Sequence, residues 1–309
     1  MPLAGLFDEL AASGLVRRLI ELARDEDLGV SAGRDATTAS MAALRGADQP
    51  ISASVVTREP CAVAGIAAVP MIIDVFGGGC AFQGIRRDGE SAERGATLGV
   101  ISGPASSVLA LERVMLNLLS RLSGVATLTR TYVDRIRTAA PGTKARLLDT
   151  RKTTPGLRML EKYAVRCGGG HCHRLGLYDA VLIKDNHLTG LAPDQLARAV
   201  AETSERARAS APNALRFVEV EVDTLDQLAA VLALPRGVID IVLLDNMNPD
   251  TLRLAVQQRD RAGSTVLLEA SGGVRLDTVA EIARTGVDRI SAGALTHQAV
   301  SVDLGLDRA

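Results

Sequence analysis

Residues 166–187 read RCGGGHCHRLGLYDAVLIKDNH and hold three of the four histidines, His171, His173 and His187, with two of the four cysteines, Cys167 and Cys172. Thiolates and imidazoles are the usual ligands of zinc. Zinc sites space them as two close pairs separated by a loop, because immediate neighbours do not readily surround one ion. Cys167, His171, Cys172 and His173 fall within seven residues, and this spacing argues against a zinc centre. The cysteines at 61, 80, 167 and 172 form no CxxC pair and read as buried or free thiols, not as a disulfide framework. His187 lies three residues beyond the end of an apolar run and reads as a structural residue that bonds locally.

A second set of chemically capable residues recurs along the chain. Six short apolar runs, ARLLDT, AVLIKDN, FVEVEVD, IDIVLLDN, TVLLEASG and RISAGAL, occupy the region from 145 to 295. Five of them end in polar groups: Asp149, Arg151 and Lys152; Lys184, Asp185 and Asn186; Glu221 and Asp223; Asp245 and Asn246; Glu269 and Ser271. If the runs are parallel strands, these ends converge on one mouth, where βα barrels place their active sites. The cations Arg151, Lys152, Arg174 and Lys184, with His173, suit a polyanion, and the carboxylates Glu221 and Asp245 suit an oxygen-liganded divalent ion. The glycine runs SGG at 271–273 and SAGAL at 291–295 each precede a helix start, where backbone N–H groups take phosphate.

Composition sets the frame for this chemistry. The chain has 309 residues, more than one core usually accommodates, and its hydrophobic fraction of 47% excludes disorder. Lys plus Arg (35) balances Asp plus Glu (36), so bulk charge points to neither nucleic acid nor an anionic membrane, and anion binding must be local. With no tryptophan and 2% aromatic residues, a base-stacking groove has little to be made from. No apolar run approaches the length of a membrane helix, and MPLAGLFDELAASG lacks the layout of a signal peptide, so a cytoplasmic location is expected.

The elements that must position the residues divide into two regions. Leu6, Leu10, Leu15, Leu19 and Leu22 give residues 5–24 a helical spacing, followed by an acidic, glycine-bearing turn, EDLGVSAGRDATT. ISASVVT, CAVAGI and TLGVISG read as strands and AAVPMIIDVF as a helix. Residues 106–137 form a long amphipathic helix with Leu111, Met115, Leu118, Leu119 and Leu122 on one stripe; Arg113, Asn117 and Ser120 point away from it. Beyond it the six apolar runs alternate with helical sequence such as PDQLARAVAETSERARA. That pattern predicts a parallel βα barrel of six strands, fewer than the usual eight. The expected domains are 1–115 and a barrel over 116–296, with a tail at 297–309 that packs back on the first domain.

The runs DTRKTTPGLR, KYAVRCGGGHCHRLGLYDAVLIKDNH, VEVEVDTLDQL and DIVLLDNM, with EDLG near the N-terminus, resemble the quinolinate phosphoribosyltransferase family nearly end to end. The resemblance implies an α/β fold, with an N-terminal α/β sandwich domain followed by an incomplete TIM-like barrel. It also implies a homodimer with shared active sites, or a hexamer. The implied reaction joins quinolinate to phosphoribosyl pyrophosphate with Mg2+, giving nicotinate mononucleotide, pyrophosphate and carbon dioxide on the de novo route to NAD. By the same resemblance, Arg151, His173 and Arg174, with Lys184 nearby, hold the acceptor's carboxylates, and Lys152 and Lys184 contact the donor. Glu221 and Asp245 then meet its ribose hydroxyls and Mg2+, and Ser271, Gly272, Gly293 and His297 meet its phosphates. Arg113 enters the neighbouring subunit's site. Cys172 stands where the family usually has Asn, and a thiol is a weaker hydrogen-bonding partner. The rival readings are a related pyridine or aromatic-acid phosphoribosyltransferase, including a molybdenum-uptake paralogue, and a Schiff-base aldolase using Lys184.

Overall fold

The structure, a computed structural model, describes residues 3–30, 33, 35–45, 48–211 and 215–308. It divides into two compact units, one of residues 1–130, 153–169 and 295–309, the other of 131–152 and 170–294.

The first unit opens with helices α1 (Leu3–Ala11), α2 (Leu15–Leu28) and α3 (Ala36–Arg45). The helical spacing over 5–24 is therefore two helices. Gly14, at φ 72, turns the chain between them in a left-handed conformation that only glycine takes without strain. The EDLG stretch also differs from expectation, since Glu26–Leu28 complete α2, and Ser31, Ala32 and Arg34 of the turn lie outside the described residues. Strands β1 (Pro50–Thr57) and β2 (Cys61–Ala62), helix α4 (Val69–Val75) and strands β3 (Ala81–Gly84), β4 (Ser91–Ala92) and β5 (Thr97–Pro104) follow. An antiparallel sheet runs in the order β12-β1-β5-β3, where β12 is the tail strand Leu304–Arg308. β2 pairs antiparallel with β4.

Helix α5 (Ala105–Ala139) is the longest element, with Leu111, Met115, Leu119 and Leu122 buried on one stripe and Arg113 and Asn117 exposed. It runs through both units, so the division falls at 130/131 within the helix and not near 115. Residues 153–169, with helix α6 (Arg158–Cys167), belong to the first unit although they follow the first barrel strand. The tail also belongs to it. Val302 donates to the Ser120 carbonyl of α5, and Arg121 donates to the carbonyls of Thr296 and Ala299. Arg121 completes this clamp by pairing at 2.7 Å with the fully buried Glu161 of α6.

The second unit is the barrel. Its strands are β6 (Arg146–Leu148), β7 (Val181–Ile183), β8 (Val218–Val222), β9 (Ile241–Asp245), β10 (Leu267–Ser271) and β11 (Arg289–Ser291), all parallel in the order β6-β11-β10-β9-β8-β7. Each falls inside one of the six apolar runs. Val218, Val220, Val222, Val242, Leu244, Leu268, Ala270 and Ile290 are buried, the continuous burial expected of parallel strands covered on both faces. Helices α7 (Asp185–Leu188), α8 (Pro193–Ser210), α9 (Leu225–Leu232), α10 (Pro249–Arg261) and α11 (Val279–Ala283) connect them, and α12 (Ala294–His297) leads out of β11. The end strands β6 and β7 are not paired to each other; a single parallel bridge joins Leu148 to His171, which lays irregular chain along that flank. Among the described residues no helix is long and apolar enough to cross a membrane.

Candidate active site

The barrel's C-terminal rim is built one strand at a time. Lys184 directly follows β7, and Glu221 lies near the end of the neighbouring β8. Their side chains meet, Nζ to Oε2, at 2.6 Å, the carboxylate buried and the lysine half-exposed. Asp245 ends β9 next door. Burial, and then the charges of Glu221 and Asp223, raise its carboxyl above the ordinary aspartate range. Glu221, Asp223 and Asp245 thus put like charges near one another at this edge, and Lys184 pairs with one of them. Ser271 ends β10, and its carbonyl accepts the N–H of Asn246 at 2.9 Å. Gly272 follows at φ 83, and a Cβ there would overlap the Asn246 side chain, so the backbone of the two rim loops approaches as only glycine allows. Gly293 lies two residues beyond β11. The helices beyond these glycines are short, five residues for α11 and four for α12, so the loop backbone contributes more than any helix dipole.

The opposite flank is cationic. Arg151 and Lys152 are exposed just past β6, whereas Arg174 is buried. Burial, and then the charge of Arg151, lower the Arg174 pKa, while Glu219 and Asp179 act the other way. His187, as expected, bonds locally: its Nδ1 accepts the N–H of Lys184 at 2.9 Å.

His173 is placed differently from expectation. Its ring is buried, and Nε2 faces Glu219 at 3.0 Å and Glu269 at 3.3 Å. Nδ1 accepts the main-chain N–H of Arg174 at 2.7 Å. Both ring nitrogens are therefore engaged within the protein. Glu269, grouped with the strand-end residues by the sequence, is fully buried, and Arg289 on β11 grips it at 2.5 Å. Asp149 is likewise buried, and its Oδ1 accepts the N–H of His173 at 2.9 Å. Burial opposes charge on His173, and the two carboxylates favour it and raise its pKa. The Nδ1 bond opposes that pull, because a second ring proton would meet the Arg174 N–H head on. Burial, and then the charge of Glu269, raise Glu219; His173 and Arg289 bring Glu269 down to about 2 despite its burial.

His173, Glu219 and Glu269 are the one three-residue group among the described residues close enough to hold a metal. Cys167 and Cys172 take no part in it. The sequence reasoning did not single out Glu219, Arg289 or Phe217. The signal for Glu219 is the VEVEV alternation, which puts it on the same face as Glu221. Arg113 and His297 both belong to the first unit, where each is exposed.

A parallel barrel whose rim carries Arg151, Lys152, Arg174 and Lys184 beside carboxylates has the charge pattern of a site for organic polyanions. Comparison with known proteins narrows this. The family model of the quinolinate phosphoribosyl transferase C-terminal domain matches residues 125–307, and that of the N-terminal domain matches 35–123. The nicotinate-nucleotide pyrophosphorylase [carboxylating] of Mycobacterium leprae is 44% identical over 259 residues, 83% of this chain and 86% of that one. A chloroplastic relative of the same name from Arabidopsis thaliana is 37% identical over 303 residues, covering 94% of this chain and 82% of its own. The solved nicotinate-nucleotide pyrophosphorylase from Francisella tularensis superposes with a TM-score of 0.80 at 35% identity, covering 96% of both chains. This chain belongs to the quinolinate phosphoribosyltransferase family.

Proposed function

We propose that this chain transfers phosphoribosyl from phosphoribosyl pyrophosphate to quinolinate with loss of carbon dioxide, supplying nicotinate mononucleotide for NAD synthesis, and that it works as a Mg2+-dependent homodimer. The observation that carries the reading is the pairing of Arg151 with a buried Arg174 whose charge is strained by its surroundings. A planar dicarboxylate offers two forks to two guanidiniums, and each charge-assisted bond contributes roughly 1.5–3 kcal/mol.

In this reading Arg151 and Arg174 bind and orient the acceptor. Lys152 and Lys184 neutralise the donor's pyrophosphate, and Ser271, Gly272, Gly293 and His297 hold its phosphates. Glu221 and Asp245 take the ribose hydroxyls and would hold Mg2+ with the donor's oxygens. Mg2+, when bound, neutralises charge developing on the leaving pyrophosphate. As the bond from C1 of the ribose to pyrophosphate breaks, the carboxylates of Glu221 and Asp245 stabilise the positive charge left on the sugar. The pyridine nitrogen then bonds to C1. When the 2-carboxylate leaves as carbon dioxide its bonding pair stays on that ring carbon, stabilised by the positive charge of the adjacent quaternary nitrogen, and the carbon then takes a proton from water. No protein nucleophile is required; positioning and electrostatics do the catalysis.

The test compares acceptors. Nicotinate lacks the 2-carboxylate, so its binding leaves Arg174 buried without an anion. Its kcat/KM is expected to fall at least about a hundredfold below that of quinolinate. Comparable rates on the two acids would replace this assignment with a broader pyridine phosphoribosyltransferase.

A further inference from the structure

Arg174 sits on irregular chain, with neither ladder nor helix bonds to place it. Four consecutive main-chain N–H groups are held there by side chains. His173 donates to Asp149 at 2.9 Å, Arg174 to Nδ1 of His173 at 2.7 Å, and Leu175 and Gly176 to the two oxygens of Asp179 at 2.8 and 2.9 Å. Three of the four acceptor atoms are carboxylate oxygens. The fourth is an imidazole nitrogen, whose direction depends on what holds the far side of the ring. That side faces Glu219 and Glu269, 3.0 and 3.3 Å from Nε2. One N–H shared between two carboxylates aligns fully with neither, and both oxygens of Glu219 lack a well-aligned hydrogen bond. Phe217 closes the ring's face, its centroid 5.4 Å away at 85°, and Arg289 lies over Phe217 while holding Glu269.

A ring carrying hydrogen on Nε2 and a lone pair on Nδ1 satisfies both observed contacts, whereas an imidazolium would lose the bond to Arg174.

We propose that Glu219 and Glu269 are positioning residues for the acceptor subsite: they hold His173 by Nε2, so that Nδ1 seats the main-chain N–H of Arg174 and aims its guanidinium at the acceptor's carboxylates. That the acceptor is quinolinate rests on the function proposed above; the linkage from the two glutamates to Arg174 does not. His173 acts here through Arg174.

Kinetics of Glu219→Gln, His173→Asn and the double variant test the linkage. Glu219→Gln keeps the shape but replaces a charge-assisted bond with a weaker neutral one. KM for quinolinate is expected to rise about tenfold or more, while KM for phosphoribosyl pyrophosphate stays within about twofold. The double variant is expected to be no worse than His173→Asn alone, because the glutamate acts only through the ring. Additive losses, or equal rises in both KM values, overturn the proposal.

A second measurement needs no variant. Nitrogen-15 spectra of the wild-type histidine rings at neutral pH are expected to show His173 with one protonated nitrogen, Nε2. Protonation of both nitrogens, or a stoichiometric transition metal in the purified protein, overturns the proposal even if Glu219→Gln fails to fold. Failure of the wild type to use quinolinate would sink the functional reading and leave the ring's state still measurable.

Discussion

At Lys184 the sequence and the structure assign the same chemistry but different energetics. As a strand-end lysine after the apolar run VLI it reads as a residue for a polyanion, with no part in the core. The structure adds a 2.6 Å pair with the buried Glu221. The lysine is half-exposed, so water screens the pair and its net contribution is about 0–1 kcal/mol. Lys184→Ala is therefore expected to lower kcat/KM at least about a hundredfold while moving the thermal midpoint by only roughly 2 °C. Calorimetry and initial rates on one preparation check both. Near-normal turnover would mean that the barrel's working rim has been misplaced. His173 shows the limit of reasoning from residue type. HR beside cations reads as a carboxylate clamp, but the partners that turn the ring inward lie on strands 46 and 96 residues further along the chain.

The elements were legible where a local period recorded them. The six apolar runs hold the six barrel strands because strands buried on both faces write themselves as unbroken Val, Ile and Leu. The break between α1 and α2 was not legible from apolar spacing, which continues in phase across Gly14. The assignment of residues 153–169 to the first unit was also hidden, since it depends on Glu161 meeting Arg121, 40 residues away. Gly124, buried within α5, tests how the tail is seated. In an open helix Gly→Ala would stabilise by about 1 kcal/mol through backbone entropy. Here a Cβ would overlap the carbonyl oxygen of Val300, a backbone atom that cannot rotate away. Overpacking of this kind costs typically 1–3 kcal/mol and outweighs the gain. Gly124→Ala is expected to lower the urea midpoint; an unchanged or higher midpoint would show that the tail does not rest on the helix there.

For the whole molecule, the proposed dimer makes a claim that no single chain can test. Arg113 is exposed on the first turns of α5, pointing away from the stripe that Leu111 and Met115 bury. Taken alone, such an arginine is a solvated residue, and its loss changes little. The function proposed above implies another task, to complete the site of a neighbouring subunit, with Lys184 serving its own barrel. The two roles separate in mixed dimers. Arg113→Ala and Lys184→Ala homodimers are each expected to be nearly inactive, since every site lacks one of the two cations. After subunit exchange, half the dimers pair the two variants. Within such a dimer one site takes Arg113 from the Lys184→Ala chain and Lys184 from the Arg113→Ala chain, so that site is whole and the other lacks both. Activity is then expected to recover to about a quarter of wild type, from one intact site of two in half the dimers. Exchange verified by mass with no recovery would assign Arg113 to its own chain or to no catalytic role, and the chain would then have to complete its site from the barrel's own cations.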